Sequence, residues 1–202
     1  MPDFRPSSPD DLVVAVADLA ARGTGRIVVA IDGADAATPD VLGDRAAAVL
    51  RATGRPAEVV ALRDFIRPAS VRMEWGHTDP ESFRTAWFDY AALDREVLGA
   101  LRDHGRWLPR LWDEVTDRSP RDRPRVAADD QVVFVCGPML LGRGLRFDAT
   151  VGLQMSRAAL LRTTPDDAAW TVDPLLDHHP GAIPDLLVRY DHPDRPAVAA
   201  QR

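Results

Sequence analysis

Nearly continuous apolar runs alternate with amphipathic stretches along this chain. A run in which neighbouring residues are all apolar is typical of a strand that is buried on both faces of a parallel sheet. These runs predict strands at 26–31, 58–62, 131–137 and 185–190, and a less regular segment predicts another at 149–153.

Signals for the start and end of helices lie between these strands. Ser8-Pro9-Asp10-Asp11 combines a hydroxyl cap, a proline in the first turn and two acids, which predicts a helix that ends at Gly23. The other predicted helices cover 39–52, 78–104 with a restart at Ala91, and 156–161. The charged, proline-containing segment 118–130 predicts a loop, and the polar segment from Asp191 predicts an irregular tail.

The alternation of strands and helices predicts an α/β protein with a single doubly wound parallel sheet. We divide the chain into an N-terminal helix within residues 1–23, a domain of residues 24–198 against which it packs, and a tail of residues 199–202. No internal repeat and no long linker interrupts this organisation.

Composition excludes several classes of protein. The chain has 202 residues, of which 46% are hydrophobic and 28% charged, so it is not a collagen, a disordered tail or a disulfide scaffold. Its net charge of −6 argues against a nucleic-acid partner. No apolar run approaches the ~18–20 residues of a membrane helix, and Met1-Pro2-Asp3-Phe4-Arg5 does not begin a signal peptide. We therefore expect no membrane partner and a cytoplasmic location.

The basic residues are unusual in kind. All 25 are arginine and the chain contains no lysine, so chemistry that needs a lysine is unavailable. The single cysteine, Cys136, lies inside an apolar strand, where we expect a buried and unreactive thiol. Asp177-His178-His179 is the only candidate for metal ligands, but adjacent histidines do not share a helix face, and we predict no metal site.

Three segments occur in an informative order. Ile31-Asp32-Gly33 ends the first strand before a helix, where a phosphate-binding loop of the form Gly-x4-Gly-Lys-Ser/Thr would lie. Arg63-Asp64-Phe65-Ile66-Arg67-Pro68 follows the second strand, and the third segment contains Asp79-Pro80-Glu81-Ser82-Phe83 and then Phe88-Asp89-Tyr90. In this series, over about residues 24–198, the chain resembles the uridine kinase family of P-loop nucleoside kinases. The resemblance implies a P-loop NTPase fold of the nucleoside kinase type.

The residues that the family uses on phosphate are replaced. Gly33 matches the first glycine of the loop, whereas Thr38 stands at the second glycine, Pro39 at the lysine and Asp40 at the Mg²⁺-binding Ser/Thr. We expect Thr38 to cap the following helix with its hydroxyl. Pro39 has no N–H to donate, and Asp40 puts a negative charge where a phosphate would bind.

The implied proton-transfer and metal groups also differ. Arg63 stands where the family has its catalytic aspartate, and Asp64, one place later, is the substitute candidate. Adjacent residues of a strand point to opposite faces, so Asp64 would need a backbone shift to act as the base. Cys136 replaces the family's acidic residue before Gly137, and a thiol is a poor ligand for Mg²⁺.

The resemblance implies that the nucleoside side of the cleft is kept. Asp89, beside Phe88, matches the family's ribose-binding acid, and Trp112-Asp113 falls where an aromatic lies near the base. Arg162 resembles the arginine of the lid. The alternative is that Phe88 and Trp112 pack, that Asp89 caps the helix near Ala91, and that Arg162 is a solvated charge.

Three functions remain open at this point. One is a uridine kinase-like protein with a disabled phosphate loop, which binds a nucleoside or another small ligand or has a regulatory role. Another is an active ATP- or GTP-dependent phosphotransferase with Mg²⁺, in which Arg63, Arg67 or Arg162 replaces the lysine. The last is an interaction subunit, as a homo-oligomer or with an active paralogue, that buries surface around Trp75, Trp87 or Trp107.

Overall fold

A computed structural model describes residues 3–200 of the chain. Its main sheet has seven strands in the order β1-β9-β8-β7-β2-β6-β3. The strands are β1 (Phe4–Pro6), β2 (Ile27–Gly33), β3 (Ala57–Ala61), β6 (Val132–Gly137), β7 (Ala149–Gln154), β8 (Leu186–Arg189) and β9 (Ala197–Ala199). A separate two-stranded ribbon pairs β4 (Arg106–Trp107) with β5 (Arg125–Val126).

Five consecutive strands of the main sheet, from β8 to the edge strand β3, are parallel. β2 lies between β6 and β7, β3 extends the sheet beyond β6, and β8 extends it beyond β7. Parallel neighbours require crossover connections, and these hold the helices against both faces. The predicted doubly wound α/β sheet is confirmed.

Two longer helices cover one face of the sheet, which we call the front. They are α1 (Pro9–Ala21) and α2 (Pro39–Ala52). Val29 and Ile31 of β2 point toward them and belong to the same apolar cluster. The Ser8 hydroxyl accepts the Asp11 amide at 3.0 Å, so the predicted cap of α1 is present.

Shorter helices cover the opposite face, the back. They are α3 (Ala69–Arg72), α4 (Pro80–Thr85), α5 (Tyr90–Leu93), a π-helical turn (Asp94–Gly99), α6 (Ala100–His104), α7 (Arg157–Thr163) and α8 (Val172–Asp177). Val28 and Ala30 of β2 point to this side, because successive side chains of a strand alternate between faces. The predicted helix with a restart at Ala91 corresponds to α5, the π turn and α6.

The predicted irregular tail is wrong over residues 197–199. These residues form β9, which pairs antiparallel with β8 and with β1. The pairing is long-range, so a polar, proline-containing segment gave no local sign of it. The end of the predicted 199–202 tail, residues 201–202, lies outside the described residues, as do residues 1–2. Within the described chain, no helix has the length and apolarity needed to cross a bilayer.

Candidate functional site

The segment that follows β2 folds back on itself. Residues Asp35–Ala37 form a turn of 3-10 helix before α2 begins. The amide of Ala37 donates to the carbonyl of Ala34 at 2.8 Å, and the amide of Thr38 donates to the carbonyl of Asp35 at 2.9 Å. A loop that binds phosphate needs successive amides aimed at the anion. Here two of those amides are used within the loop.

Thr38 does not cap α2 with its side chain, which corrects the expectation from sequence. Its backbone is left-handed, with φ 46° and ψ 55°, and its hydroxyl makes no capping hydrogen bond. The 3-10 turn just before it sets this backbone, and a cap needs an extended one. Pro39 is the first residue of α2 and Asp40 is exposed in its first turn, as expected.

Arg63 connects this loop to a second segment. It lies in a 3-10 turn (Leu62–Phe65) that directly follows β3. Its guanidinium pairs with Asp35 of the loop at 2.5 Å and with Glu114 at 2.9 Å. Arg72, almost completely buried, pairs with the other oxygen of Glu114 at 3.4 Å. The two arginines therefore hold residues 111–118, which we call the strap, beside the loop.

A small cleft remains between the loop and Arg63. It has a volume of about 210 Å³ and is bounded by Asp35, Thr38, Pro39, Asp40, Ala61, Arg63, Cys136 and Gly137. Burial raises the pKa of the Cys136 thiol well above its ordinary value, and Asp40 and Asp44 add to this effect. The thiol is thus protonated and buried, as expected, and its Sγ packs against the backbone of Gly43.

Comparison with solved structures decides the fold. A possible uridine kinase from Bacillus stearothermophilus superposes with a TM-score of 0.71 at 19% identity, over 88% of this chain and 97% of that one. A D-glycerate 3-kinase from Cryptococcus neoformans superposes with a TM-score of 0.52 at 16% identity, over 77% of this chain and 75% of that one. No protein-family model matches the sequence, and no curated protein matches it significantly.

The chain has a P-loop kinase fold. At these identities the superpositions establish the fold alone. In this fold the phosphate-binding loop lies between a central strand and the helix that follows it, and in this chain that position, after β2, holds Thr38, Pro39 and Asp40.

Asp64 does not line the cleft. Its backbone carbonyl accepts the amides of Leu111 and Trp112 at 2.9 and 3.0 Å, which fastens the strap to the turn after β3. The pKa of its carboxyl is raised to about 6, chiefly by burial; Arg110 opposes this shift, and Asp122 and Asp113 add to it. The adjacent residue Arg63 faces the loop, so the two side chains have separate surroundings.

Phe88 packs in the core, and Asp89 caps a helix. Phe88 is 3% exposed and packs in the back cluster, where its ring meets the edge of Phe83. The Asp89 carboxylate accepts the amide of Ala92 at 2.9 Å and caps α5.

The strap residues are also engaged with one another. Trp112 donates its Nε1–H to Asp117 at 3.0 Å, and Asp113 accepts the amide and the hydroxyl of Thr116 at 2.8 and 3.0 Å. These bonds lower the pKa of Asp113. Arg162 is exposed on α7 and donates to the carbonyl of Asp191 at 2.6 Å. The structure therefore does not bring these residues together with Phe88 and Asp89 in one open pocket.

Two of the three tryptophans considered for an interface are in the core, which corrects that expectation. Trp87 is 8% exposed and Trp107 is 3% exposed, whereas Trp75 is 77% exposed. Trp87 packs edge-on against Phe83 and Trp170 and lies under the guanidinium of Arg72. The sequence alone did not show whether these tryptophan rings lie in the core or on a surface that binds a partner.

His178 and the carboxylates of residues 3–200 form no metal cluster. Within this described range, no group of three potential ligands is close enough to hold an ion. The Nε2 atom of His178 lies 2.8 Å from the carbonyl oxygen of Leu141. Burial lowers the pKa of His178, so the ring is neutral at physiological pH.

The sequence analysis missed Asp32 as a candidate, because it treated Asp32-Gly33 as the end of a strand. The carboxylate accepts the amide of Leu141 at 3.1 Å, and burial raises its pKa to about 6. A single acid directly after the apolar run 27–31 was the available signal. The burial and hydrogen bonding of Asp32 depend on the loop after β6, which contains Leu141. No local sequence pattern predicts that this loop packs against Asp32.

Proposed function

We propose that this chain is a catalytically impaired P-loop kinase-like protein whose role is binding or regulation rather than ATP-dependent phosphoryl transfer. The observation that carries the proposal is the contact between Arg63 and Asp35 at 2.5 Å. In the uridine kinase family that the sequence resembles, the position of Arg63 belongs to the catalytic base and Asp35 lies in the phosphate loop. The ion pair therefore joins the turn after β3 to the loop after β2, across the space that a phosphate donor and its acceptor would have to occupy.

The chemistry of the loop supports this proposal. An arginine stays protonated near neutral pH and cannot accept a proton from a substrate hydroxyl. Pro39 removes an amide donor, and the chain has no lysine to neutralise a triphosphate. Loss of one preorganised donor typically costs about 3 kcal/mol of transition-state stabilisation. Several such losses, with Asp40 repelling the phosphates, would make turnover negligible.

The alternative is a phosphotransferase that uses arginines. Arg63 is held by two carboxylates, and Arg162 is bound to a backbone carbonyl on the lid side. Each would have to give up these contacts to reach a phosphate. The nucleoside interpretation is weakened in the same way, because the Asp89 carboxylate caps α5 and the Asp113 carboxylate is hydrogen-bonded to Thr116 within its own turn.

Calorimetry with Mg²⁺ and ATP tests the proposal, on the wild type and on Thr38→Gly/Pro39→Lys/Asp40→Ser. This triple variant restores the residue types of a phosphate loop. We expect no ATP binding to the wild type at concentrations on the order of millimolar. We expect measurable binding to the variant, since it gains a cation and loses an anion at the helix start.

The start of α1 offers a matched control. Ser8-Pro9-Asp10 has nearly the same residue types at a helix start remote from the cleft. Ser8→Gly/Pro9→Lys/Asp10→Ser should not bind ATP. Tight Mg²⁺-dependent binding of ATP by the wild type, or transfer of labelled phosphate to any nucleoside of a panel, would overturn the proposal in favour of the active enzyme.

A further inference from the structure

A second and larger cavity lies on the back of the sheet, where Gly33 and Ala34 at the start of the loop after β2 are among its lining residues. Its volume is about 510 Å³, which is within the range of small-molecule sites. Asp32, Gly152 and Leu187 are register partners on β2, β7 and β8 and form its floor. None of the residues that line it also lines the small cleft beside Arg63.

The cavity exists because the cover over β7 and β8 is thin. α8 has only six residues, and residues 178–185 return to β8 without a helix or strand. Gly152 contributes no side chain to the floor, where a Cβ would lie 2.8 Å from Pro184. Gln154 and Arg189 are exposed and line the cavity, so it reaches solvent at the carboxyl ends of β7 and β8.

Its walls are mostly apolar. The side chains that face the space above the floor include Met139, Leu141, Leu160, Leu175 and Leu176. An apolar space of this size is unfavourable to fill with water alone. A ligand body made of carbon would bury these walls and its own surface together.

Asp32 is the charged group of the floor. One of its oxygens accepts the amide of Leu141, the backbone amides of Leu140 and Met139 also stabilise its charge, and among residues 3–200 it forms no ion pair. The nearby guanidinium of Arg143 is engaged elsewhere, because it donates to the carbonyls of Met139 and Arg84 and lies over the ring of Tyr90. The backbone amides that bind Asp32 offset part of the cost of burying a carboxylate beside apolar walls, and a cation at the same oxygens would offset more of it.

We propose that this cavity binds an amphipathic amine, with the ammonium group on the Asp32 carboxylate and the apolar body against the leucine and methionine walls. A charge-assisted hydrogen bond from the ligand would add a cationic partner to the backbone amides that already bind Asp32. An anionic ligand is disfavoured by the same carboxylate. The inference concerns a different site from the proposed closed phosphate loop, so ATP binding and amine binding test them separately.

Three probes with one body test this proposal: 4-phenylbutylamine, 4-phenylbutanol and 4-phenylbutyrate, titrated near neutral pH by calorimetry. We expect the amine to bind about tenfold more tightly than the alcohol, because a hydrogen bond between charged groups is stronger than a neutral one. The carboxylate should bind most weakly. Equal binding of amine and alcohol, preference for the carboxylate, or binding of none would overturn the proposal.

Variants locate the binding. Asp32→Asn should remove the preference for the amine over the alcohol, while Asp35→Asn, a carboxyl in the loop outside the cavity, should leave it unchanged. Leu176→Trp fills the cavity without altering Asp32 and should weaken both the amine and the alcohol. If the amine binds Asp32→Asn or Leu176→Trp as tightly as the wild type, the site is elsewhere and the proposal is wrong.

Discussion

Asp32 and Asp35 are only three residues apart, but in the described part of the chain Asp35 forms an ion pair and Asp32 does not. Asp35, in the loop after β2, pairs with Arg63 at 2.5 Å. Asp32, at the end of β2, faces the cavity on the back of the sheet and forms no ion pair among residues 3–200. The Asp35–Arg63 ion pair spans the small cleft beside the loop after β2, whereas the larger cavity at Asp32 contains no such pair within the described range. In this fold, closure depends on which cation the tertiary structure brings within reach.

The first prediction tests the buried charge of Asp32. Burial raises the pKa of this carboxyl to about 6, so between roughly pH 4 and pH 6 the folded protein keeps a proton that the unfolded chain has released. Stability from this group is therefore present at low pH and is lost as the pH rises through about 6. Asp32→Asn should stabilise the protein by up to about 3 kcal/mol at neutral pH and hardly at all near pH 4.

Chemical denaturation of both proteins at several pH values measures this difference. Asp35→Asn is the control, because Asp35 is exposed and paired. A gain for Asp32→Asn that is the same at every pH would contradict the assigned charge effect.

The second prediction concerns the packing of α2 against β6, next to the small cleft. A Cβ added at Gly43 of α2 would lie 2.7 Å from Sγ of Cys136 on β6. Gly43→Ala should destabilise the protein by about 1–3 kcal/mol, because a full core has no room for an added methyl group. Adding Cys136→Ala should recover most of the loss. If the double variant is no more stable than Gly43→Ala alone, the contact is not the cause.

The third prediction breaks the ion pair that spans the small cleft. Arg63→Met removes the link between Asp35 and Glu114, and we expect amide hydrogen exchange in residues 111–118 to become faster. Since all three side chains are at least one-third exposed, the global free energy of unfolding should change by less than about 1 kcal/mol. Arg118→Met, a change in the strap away from Arg63, provides the comparison. Unchanged exchange in Arg63→Met would show that the backbone bonds to Asp64 hold the strap without Arg63.

The smallest expected effect distinguishes the two accounts of Thr38. If its hydroxyl capped α2, Thr38→Gly would cost a few tenths of a kcal/mol. With φ at 46° and no capping bond, glycine relieves a strained backbone, and we expect a gain of about 0.5 kcal/mol. Ser8→Gly at the start of α1, where the cap is present, should destabilise instead. Thermal unfolding of both variants gives the signs.

Much of the fold was accessible from pattern alone. The apolar runs placed β2, β3, β6, β7 and β8, and the Ser8 cap placed the start of α1. Pro39 and Gly54 bounded α2 where the structure has it. β9 was not accessible, because its partners are β8 and, almost two hundred residues away, β1.

The candidate site was only partly accessible. The residues of the altered loop could be named, but not the backbone of Thr38, because a 3-10 turn before it decides the conformation. Arg63 could be identified as a departure from the family that the sequence resembles, whereas its partners Asp35 and Glu114 are 28 and 51 positions away.

The sequence by itself determined the central strands and the longer helices, because these depend on local periodicity, capping and residue chemistry. The tertiary structure alone decided which charges meet. It paired Asp35 with Arg63 and left Asp32 facing a cavity under a short helix. Ion pairs and cavities of this kind form where segments distant in the sequence come into contact, and local hydrophobic periodicity does not predict which segments those are.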